Sequence, residues 1–423
     1  MKQYDSYKDS GIEWIGEIPS HWEICRFKDL TTLQTLASTS DNKIGLENIE
    51  GKTGRLIETD SEFEGNGIAF EQGDIVYGKL RPYLQKVWVA TFSGNAVGDF
   101  FVFRTKSNCY NRYLFYVMLS DGFTSMCNGA TFGAKMPRVS SDFIRSLHYY
   151  IPPYSEQQTI AIYLDKKCEK IDEAIATQQK RIDLLGELRQ NIITHAVTRG
   201  INPDAPLKDS GVEWIGKVPE HWKVMKMNYA LRSISDVNHY MPDNVPDGYP
   251  YIMTGDLKKY VSETDFEKCK QISKEDYKEL SVKSKAEKGD VIFARYATIG
   301  TVCYVDIDKD FIVSYSCVTI KPKKKVLSGL YLYYLLQSHT FSEDISQGVN
   351  SNTQGNVGID SLSSSRVIVP PLIEQHNIVS YIESKTASLD NAIEKANRQI
   401  ELLQELKQSI ITEVVTGKRK VVA

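Results

Sequence analysis

Asp9-Ser10-Gly11-Ile12-Glu13-Trp14-Ile15-Gly16 returns as Asp209-Ser210-Gly211-Val212-Glu213-Trp214-Ile215-Gly216, 200 residues further along a chain of 423. Each copy continues into Pro-x-His-Trp, Pro19 to Trp22 and Pro219 to Trp222. Downstream, Pro152-Pro153 with Glu156-Gln157 recurs as Pro370-Pro371 with Glu374-Gln375, now at an offset of 218. The stretches between also match in order. Gly73–Val76 pairs with Gly289–Ile292 and Lys79 with Arg295 at 216; Tyr113–Tyr116 pairs with Tyr331–Tyr334, Val139 with Val357 and Ile144 with Leu362 at 218. Colinear matching over this length is a tandem duplication of one domain-plus-helix unit, a chain with two equivalent sites. The second copy gains about sixteen residues between Leu231 and Gly289 and two more before Tyr331.

Within each copy, short apolar runs broken by Gly, Asn and Asp read as strands: Ile75–Tyr77, Val87–Val89, Phe100–Phe103, Val291–Phe293 and Phe311–Val313. Tyr113–Leu119 and Leu330–Leu336 read as short buried helices. The expected fold class is α+β, with a curved or partly closed sheet in each globular part. After each Pro-Pro pair a longer pattern begins. Ile171, Ile175, Gln178, Ile182, Leu185, Arg189, Ile192 and Ala196 alternate spacings of four and three, and so do Leu389, Ile393, Ala396, Ile400, Leu403, Lys407, Ile410 and Val414. This is a heptad seam, and Leu184, Leu188, Leu402 and Leu406 are expected to widen its apolar face. Ser155 with Gln158 resembles a capping box at the helix start, and Gly200, Pro203 and Pro206 end the first helix. A helix from Ser155 to Thr198 would run about 66 Å at 1.5 Å per residue. A lone seam would leave an apolar stripe in water. Two seams of equal length in one chain favour an internal antiparallel coiled coil, with a pseudo-twofold between the copies, over a coiled coil between chains.

Hydrophobic content of 41% and charged content of 25% are those of an ordinary globular protein of two or three domains. No apolar run reaches the length of about 18 residues that a membrane span needs, and Met1-Lys2-Gln3-Tyr4-Asp5 opens without an apolar signal region. A cytoplasmic location with no membrane partner is the expectation. The seven cysteines, 25, 109, 127, 168, 269, 303 and 317, show no C-x-x-C spacing, so reduced and mostly buried thiols are expected rather than a zinc site or disulfides. Net charge is −3, yet residues 101–150 carry six Lys/Arg against two Asp/Glu while residues 1–100 carry ten against sixteen. Positive charge is local.

Catalytic and metal signatures are missing. Ile151-Pro152-Pro153-Tyr154 has the shape of the Asp/Asn-Pro-Pro-Tyr/Phe motif of amino-group DNA methyltransferases, but Ile151 and its counterpart Val369 cannot accept a hydrogen bond from a target amine. The prolines stop a strand and aim the helix that follows. No Gly-rich cofactor loop, Walker A, H-E-x-x-H or G-x-S-x-G sequence occurs, and His21 and His221 recur beside Trp, where packing and hydrogen bonding explain them. The chain reads as non-enzymatic, with no catalytic residue, no metal and no cofactor of its own.

What remains is recognition. Tyr77–Tyr83 sets Lys79, Arg81 and Tyr83 among turn residues, and Arg295, Tyr296 and Thr298 hold the equivalent place in the second copy. The Gly-rich loop Gly129–Arg138 offers Lys135 and Arg138, whereas its counterpart offers amides: Asn350, Asn352, Gln354 and Asn356. Cations suit phosphate, and Arg, Lys, Asn or Gln in fixed geometry suit base edges. Equivalent loops with different side chains would read two different half-sequences. Lys321, Lys323, Lys324 and Lys325 form a further basic cluster, expected to contact backbone phosphate or to be merely solvated.

The Asp-Ser-Gly-x-Glu-Trp-x-Gly-x-x-Pro-x-His-Trp opening, the Gly-Asp-Ile/Val stretch with its downstream cation, and the Pro-Pro-x-x-Glu-Gln helix start, each present twice, resemble the specificity subunit of type I restriction–modification systems. The resemblance covers essentially the whole chain. It implies target-recognition domains at 1–150 and 201–368, and helical regions at 151–200 and 369–423. It implies one half of a bipartite double-stranded DNA site per domain, with the coiled coil setting the spacing. Two methyltransferase subunits would dock on the outer helix faces and on the Glu156-Gln157 and Glu374-Gln375 helix starts, and restriction/translocase subunits would join for cleavage. S-adenosylmethionine and ATP would belong to those partners. An adaptor with two protein-binding heads is the competing reading, and it gives no reason for the two loops to differ.

Overall fold

The structure is a computed structural model that describes residues 3–12, 15–38, 40–59, 65–133, 135–237, 239–346 and 356–421. The chain forms two compact units, Met1–Gln179 with Asn397–Ala423, and Lys180–Ala396. Each unit therefore holds one globular part and half of each long helix.

In the first unit an antiparallel sheet runs in the order Thr31–Gln34, Phe100–Thr105, Ile75–Gly78, Val87–Val89. The run Ile75-Val76-Tyr77 is apolar throughout because both faces of its strand are covered. Ile75 and Tyr77 belong with Phe103 to a core shared with the helix Asn111–Leu119, while Val76 packs with Trp88, Phe100 and Val102 on the opposite side. Alternate residues of one strand thus serve two cores. A second, smaller sheet covers that other side, ordered Ala37–Ser38, Gly67–Phe70, Gly94–Ala96, Lys43–Ile44. The strand Glu23–Arg26 pairs with His148–Ile151, which brings the start of the domain beside its end. Pro152-Pro153 follows that strand directly, so the prolines separate strand from helix as expected.

The second unit repeats the plan. Its main sheet is ordered Leu231–Ser235, Cys317–Pro322, Val291–Ala294, Val302–Tyr304, and Lys223–Lys226 pairs with Arg366–Val369. Val291 and Phe293 face one core and Ile292 and Ala294 the other. Its second sheet has three strands, ordered Lys270–Ile272, Tyr249–Ile252, Ile312–Val313, and the lengthened stretch between Leu231 and Gly289 includes the helix Lys274–Ser284.

The long helices are Tyr154–Arg199 and Leu372–Val415. The first begins at Tyr154, so Ser155 sits inside the first turn and the expected capping box is not formed; Pro153 supplies its carbonyl to the amides of Glu156 and Gln157 instead. The helices run antiparallel: Asp172 meets Lys407 within the first unit and Arg189 meets Asp390 within the second. Every seam position is at least half-buried. Leu184, Leu188, Leu402 and Leu406 depart from expectation. They are 56, 48, 47 and 48% exposed, so they lie outside the seam rather than widening it. At their far ends both helices enter a domain core, Ile410, Ile411 and Val414 in the first unit and Ile193, Ala196 and Val197 in the second. Gly200 and Gly417 terminate them in the left-handed conformation, at φ 78° and 71°. A Cβ on Gly417 would lie 2.3 Å from Pro19 Cδ, and one on Gly200 would lie 3.1 Å from Trp222 Cζ2. Only glycine fits both the dihedral and the contact.

Candidate nucleic-acid interface

The loops singled out by sequence share a backbone framework in the two units. Arg81 at φ 50° and Ala297 at φ 57°, at the 216 offset, are both left-handed non-glycine residues just after the matched strands. Leu80 forms an antiparallel bridge with Arg138, and Tyr296 forms the same bridge with Asn356. The amide of Val139 donates to the carbonyl of Lys79, and that of Val357 to the carbonyl of Arg295. Arg138 and Asn356 therefore occupy one structural position. A left-handed residue outside glycine costs of order 1 kcal/mol, so its presence in both copies argues that the loop path matters.

In the first unit, Arg138 donates Nε to Asp99 Oδ1 at 3.0 Å and Nη2 to Oδ2 at 2.8 Å, and Lys79 Nζ lies 3.7 Å from the same carboxylate. The hydrogen bonds from Arg138 hold the Asp99 carboxyl below the usual carboxylate range. Lys79 also lies over the Phe101 ring. Arg81, Tyr83, Phe132, Lys135 and Met136 are exposed around this cluster. Among the described residues, the side chains of Arg81 and Lys135 have no ion-pair partner. These are the cations with free heads.

The second unit fills the same place differently. Arg295 was expected at a surface, but it is buried. Its Nη2 donates to Asp236 and its Nε to the carbonyl of Tyr315, and its guanidinium covers the Tyr296 ring at 4.7 Å. It braces the loop from within rather than reaching a ligand. Tyr296, Tyr315 and exposed His239 form an aromatic cluster with ring centroids 5.0 to 6.3 Å apart. Thr298 is exposed beside it, and the Asn356 amide has no hydrogen-bond partner among the described residues. Asn350, Asn352 and Gln354 lie outside the described residues.

Of the basic cluster, Lys321 departs from expectation by being buried, while Lys323, Lys324 and Lys325 are exposed. Lys321 is 9% exposed, lies 3.7 Å from the buried carboxylate of Asp290 and donates to the carbonyl of Lys285. Lys323 and Lys324 donate to the carbonyls of Tyr229 and Lys288. These three lysines close backbone of their own domain.

The helix starts act as latches. Glu156 accepts from Tyr4 Oη at 2.6 Å and Trp22 Nε1 at 3.3 Å, with His21 Nε2 at 2.8 Å from its other oxygen. Glu374 accepts from Trp222 Nε1 at 2.7 Å and lies 2.6 Å from His221 Nε2. The repeated His-Trp and Pro-Pro-x-x-Glu blocks are thus the two halves of one contact. Gln157 and Gln375, 1 and 0% exposed, each accept one backbone amide, from Tyr110 or Ser328, and donate to two carbonyls. A side chain so enclosed cannot meet a partner subunit, which removes Gln157 and Gln375 from any docking surface.

Asp99, Asp236, His239 and Tyr315 were not picked out by sequence reading. Each acts on a cation or ring from tens of residues away, and no local spacing marks them.

The family model for the type I restriction modification DNA specificity domain matches residues 19–184 and 233–404, once for each copy. The chain belongs to the type I restriction–modification DNA specificity family. Its relatives include the EcoBI specificity subunit of Escherichia coli, 25% identical over 319 residues, which is 73% of this chain and 66%, just under two thirds, of that subunit. The MjaVIII specificity subunit of Methanocaldococcus jannaschii is 24% identical over 318 residues, 73% of this chain and 70% of that one. A solved chain described under the structural basis of complex assembly and conformational transition of the type I R-M system superposes with a TM-score of 0.65 at 16% identity, covering 94% of this chain and 98% of that one. That likeness is one of fold. Membership places this chain with proteins that carry the type I restriction modification DNA specificity domain, as the resemblance in its sequence implied. No described helix is long and apolar enough to cross a membrane.

Proposed function

We propose that each recognition domain reads one half of a bipartite, asymmetric double-stranded DNA site, with the paired helices setting the distance between halves. The carrying observation is the shared loop framework with divergent side chains: Arg81, Lys135 and Arg138 in one copy, Thr298, Asn356 and an aromatic cluster in the other. One scaffold with two sets of readers is what a two-part sequence demands. Reading both halves from one face of B-DNA needs centres about 34 Å apart or a multiple of it, the distance assigned to the paired helices in this reading.

Two methyltransferase subunits are the proposed partners on the helices, with restriction/translocase subunits joining them, all in the cytoplasm. Leu184 with Leu188 and Leu402 with Leu406 support this. They are exposed apolar pairs at the 218 offset, one pair per unit, and equal patches suit two copies of one partner. S-adenosylmethionine and ATP are assigned to those partners.

The test is to co-express the chain with its cognate methyltransferase subunit and map methylated adenines by long-read sequencing. A single bipartite motif with a fixed gap is expected, absent when the chain is omitted. Methylation that ignores the presence of the chain would overturn the reading. Replacing Lys135 should then alter one half of the motif only.

A further inference from the structure

We infer that one backbone position, built alike in the two domains, reads a base in each half-site: Arg138 a guanine in the first and Asn356 an adenine in the second, with Asp99 as the residue that positions Arg138. The inference rests on the DNA-recognition reading above and adds to it the bases and the residues that select them.

The bridges to Leu80 and Tyr296, and the amide bonds from Val139 and Val357, fix the backbone of this position between two segments of its own domain. A reader placed on rigid backbone discriminates better than one on a free loop. In the first domain the side chain is fixed as well. Guanidinium has five N–H donors in a planar fork. Asp99 takes one edge through Nε and Nη2, and the carbonyl of Met136 lies 3.4 Å from Nη1. The outer edge, between Nη1 and Nη2, is left to donate two parallel hydrogen bonds, and the side chain is about one third exposed. O6 and N7 of guanine are the two adjacent acceptors of the major groove that match this fork. The carboxylate anchors the guanidinium through two hydrogen bonds, and Lys79 Nζ lies 3.7 Å from the same carboxylate.

Asn356 has the complementary chemistry. Its amide carries one acceptor and two donors, the set that pairs with N6 and N7 of adenine, and it has no partner among the described residues. The neighbouring rings of Tyr296, Tyr315 and His239 add apolar surface suited to a thymine methyl on the opposite strand.

The experiment uses the full chain with its cognate methyltransferase subunit, mapped by long-read sequencing on a library with both half-sites randomised. The unaltered complex should require a guanine in the half assigned to the first domain and an adenine in the other. Arg138→Ala should reduce discrimination at that one guanine about 10- to 100-fold and leave the second half untouched, which also controls for folding and assembly. Asp99→Asn should relax the same guanine to a lesser degree. Asn356→Ala should relax one adenine in the second half alone. An unchanged first half in Arg138→Ala, even with a lowered melting temperature, makes the Asp99 pair a mere staple and overturns the inference, as does an equal loss in both halves. Should Arg138→Ala fail to assemble, Arg138→Lys decides, because it keeps a charge for Asp99 but not the fork: a relaxed guanine supports the inference and an unchanged one overturns it. Absence of any bipartite motif in the unaltered complex would instead overturn the DNA-recognition reading, before any variant is compared.

Discussion

Lys407 holds Asp172 across the helix pair, its Nζ 2.8 and 2.9 Å from the two carboxylate oxygens, with the lysine side chain 9% and the aspartate 12% exposed. Arg189 and Asp390, the residues at the matching offset, form the same pair in the second unit. The two charged positions of the heptad seam, Arg189 and Lys407, are thereby explained. A charge in a seam accepts only its opposite, so the pair selects one antiparallel register among those the leucines and isoleucines would tolerate.

Asp172→Ala should therefore cost about 3 to 5 kcal/mol in chemical denaturation, since it leaves a covered ammonium unpaired and also strips Arg55 of its partner. Replacing both Asp172 and Lys407 by Leu should restore most of that loss while loosening the register. The Arg189–Asp390 pair is more open to solvent, and Asp390→Ala should cost no more than about 1 kcal/mol. Equal losses at the two sites would show that burial does not govern these pairs.

A second expectation concerns the latches. Trp222 is 1% exposed, and its indole N–H has Glu374 as acceptor. Glu374→Ala orphans that donor and should lower stability by about 1 to 3 kcal/mol. Glu374→Gln retains an acceptor oxygen and should cost clearly less. Tryptophan fluorescence during thermal unfolding gives both numbers, and indistinguishable variants would mean that the contact is not held by this hydrogen bond.

Much of this architecture is legible in the sequence because it depends on local periodicity. The continuous run Ile75-Val76-Tyr77 announces a strand covered on both faces, and the spacing from Ile171 to Ala196 announces a seam. What is not legible depends on contacts between distant segments. Arg138 and Arg295 look alike as loop cations, yet Asp99 leaves one with an open edge while Asp236 and the Tyr315 carbonyl enclose the other. Leu184 and Leu402 fit the apolar stripe by spacing, but a helix pair narrower than that stripe leaves them outside. Gln157 looks like a surface amide, and only the folded domain shows the carbonyls of Asn108 and Pro152 waiting for it.

The cysteines supply a chemical test of the cores. Six are buried and Cys25 is partly covered. Burial pushes the thiols up, to about 11 for Cys25, Cys168 and Cys269 and to about 12 for Cys109, Cys127, Cys303 and Cys317. At pH 8 no more than about one in a thousand would be thiolate, so the native chain should resist a thiol-specific reagent while all seven react in denaturant. Rapid native labelling of any of the six buried thiols, read by mass spectrometry, would contradict the packing described.

Acid should weaken the Asp99–Arg138 pair in a defined direction. Hydrogen bonding from Arg138 depresses the folded-state pKa of Asp99 below its unfolded value of about 3.9. A depressed carboxylate stabilises the fold at every pH above the unfolded value, and the contribution fades as pH falls through the folded one. Arg138 stays cationic throughout, so Asp99 is the member of the pair that titrates. The stability difference between the native chain and Asp99→Asn should therefore be flat from about pH 5 to 8 and shrink below about pH 4. Unfolding measured by urea titration at each pH checks this. A difference that persists unchanged well below pH 3, or grows there, would mean that the ion pair does not hold Asp99 in its charged form.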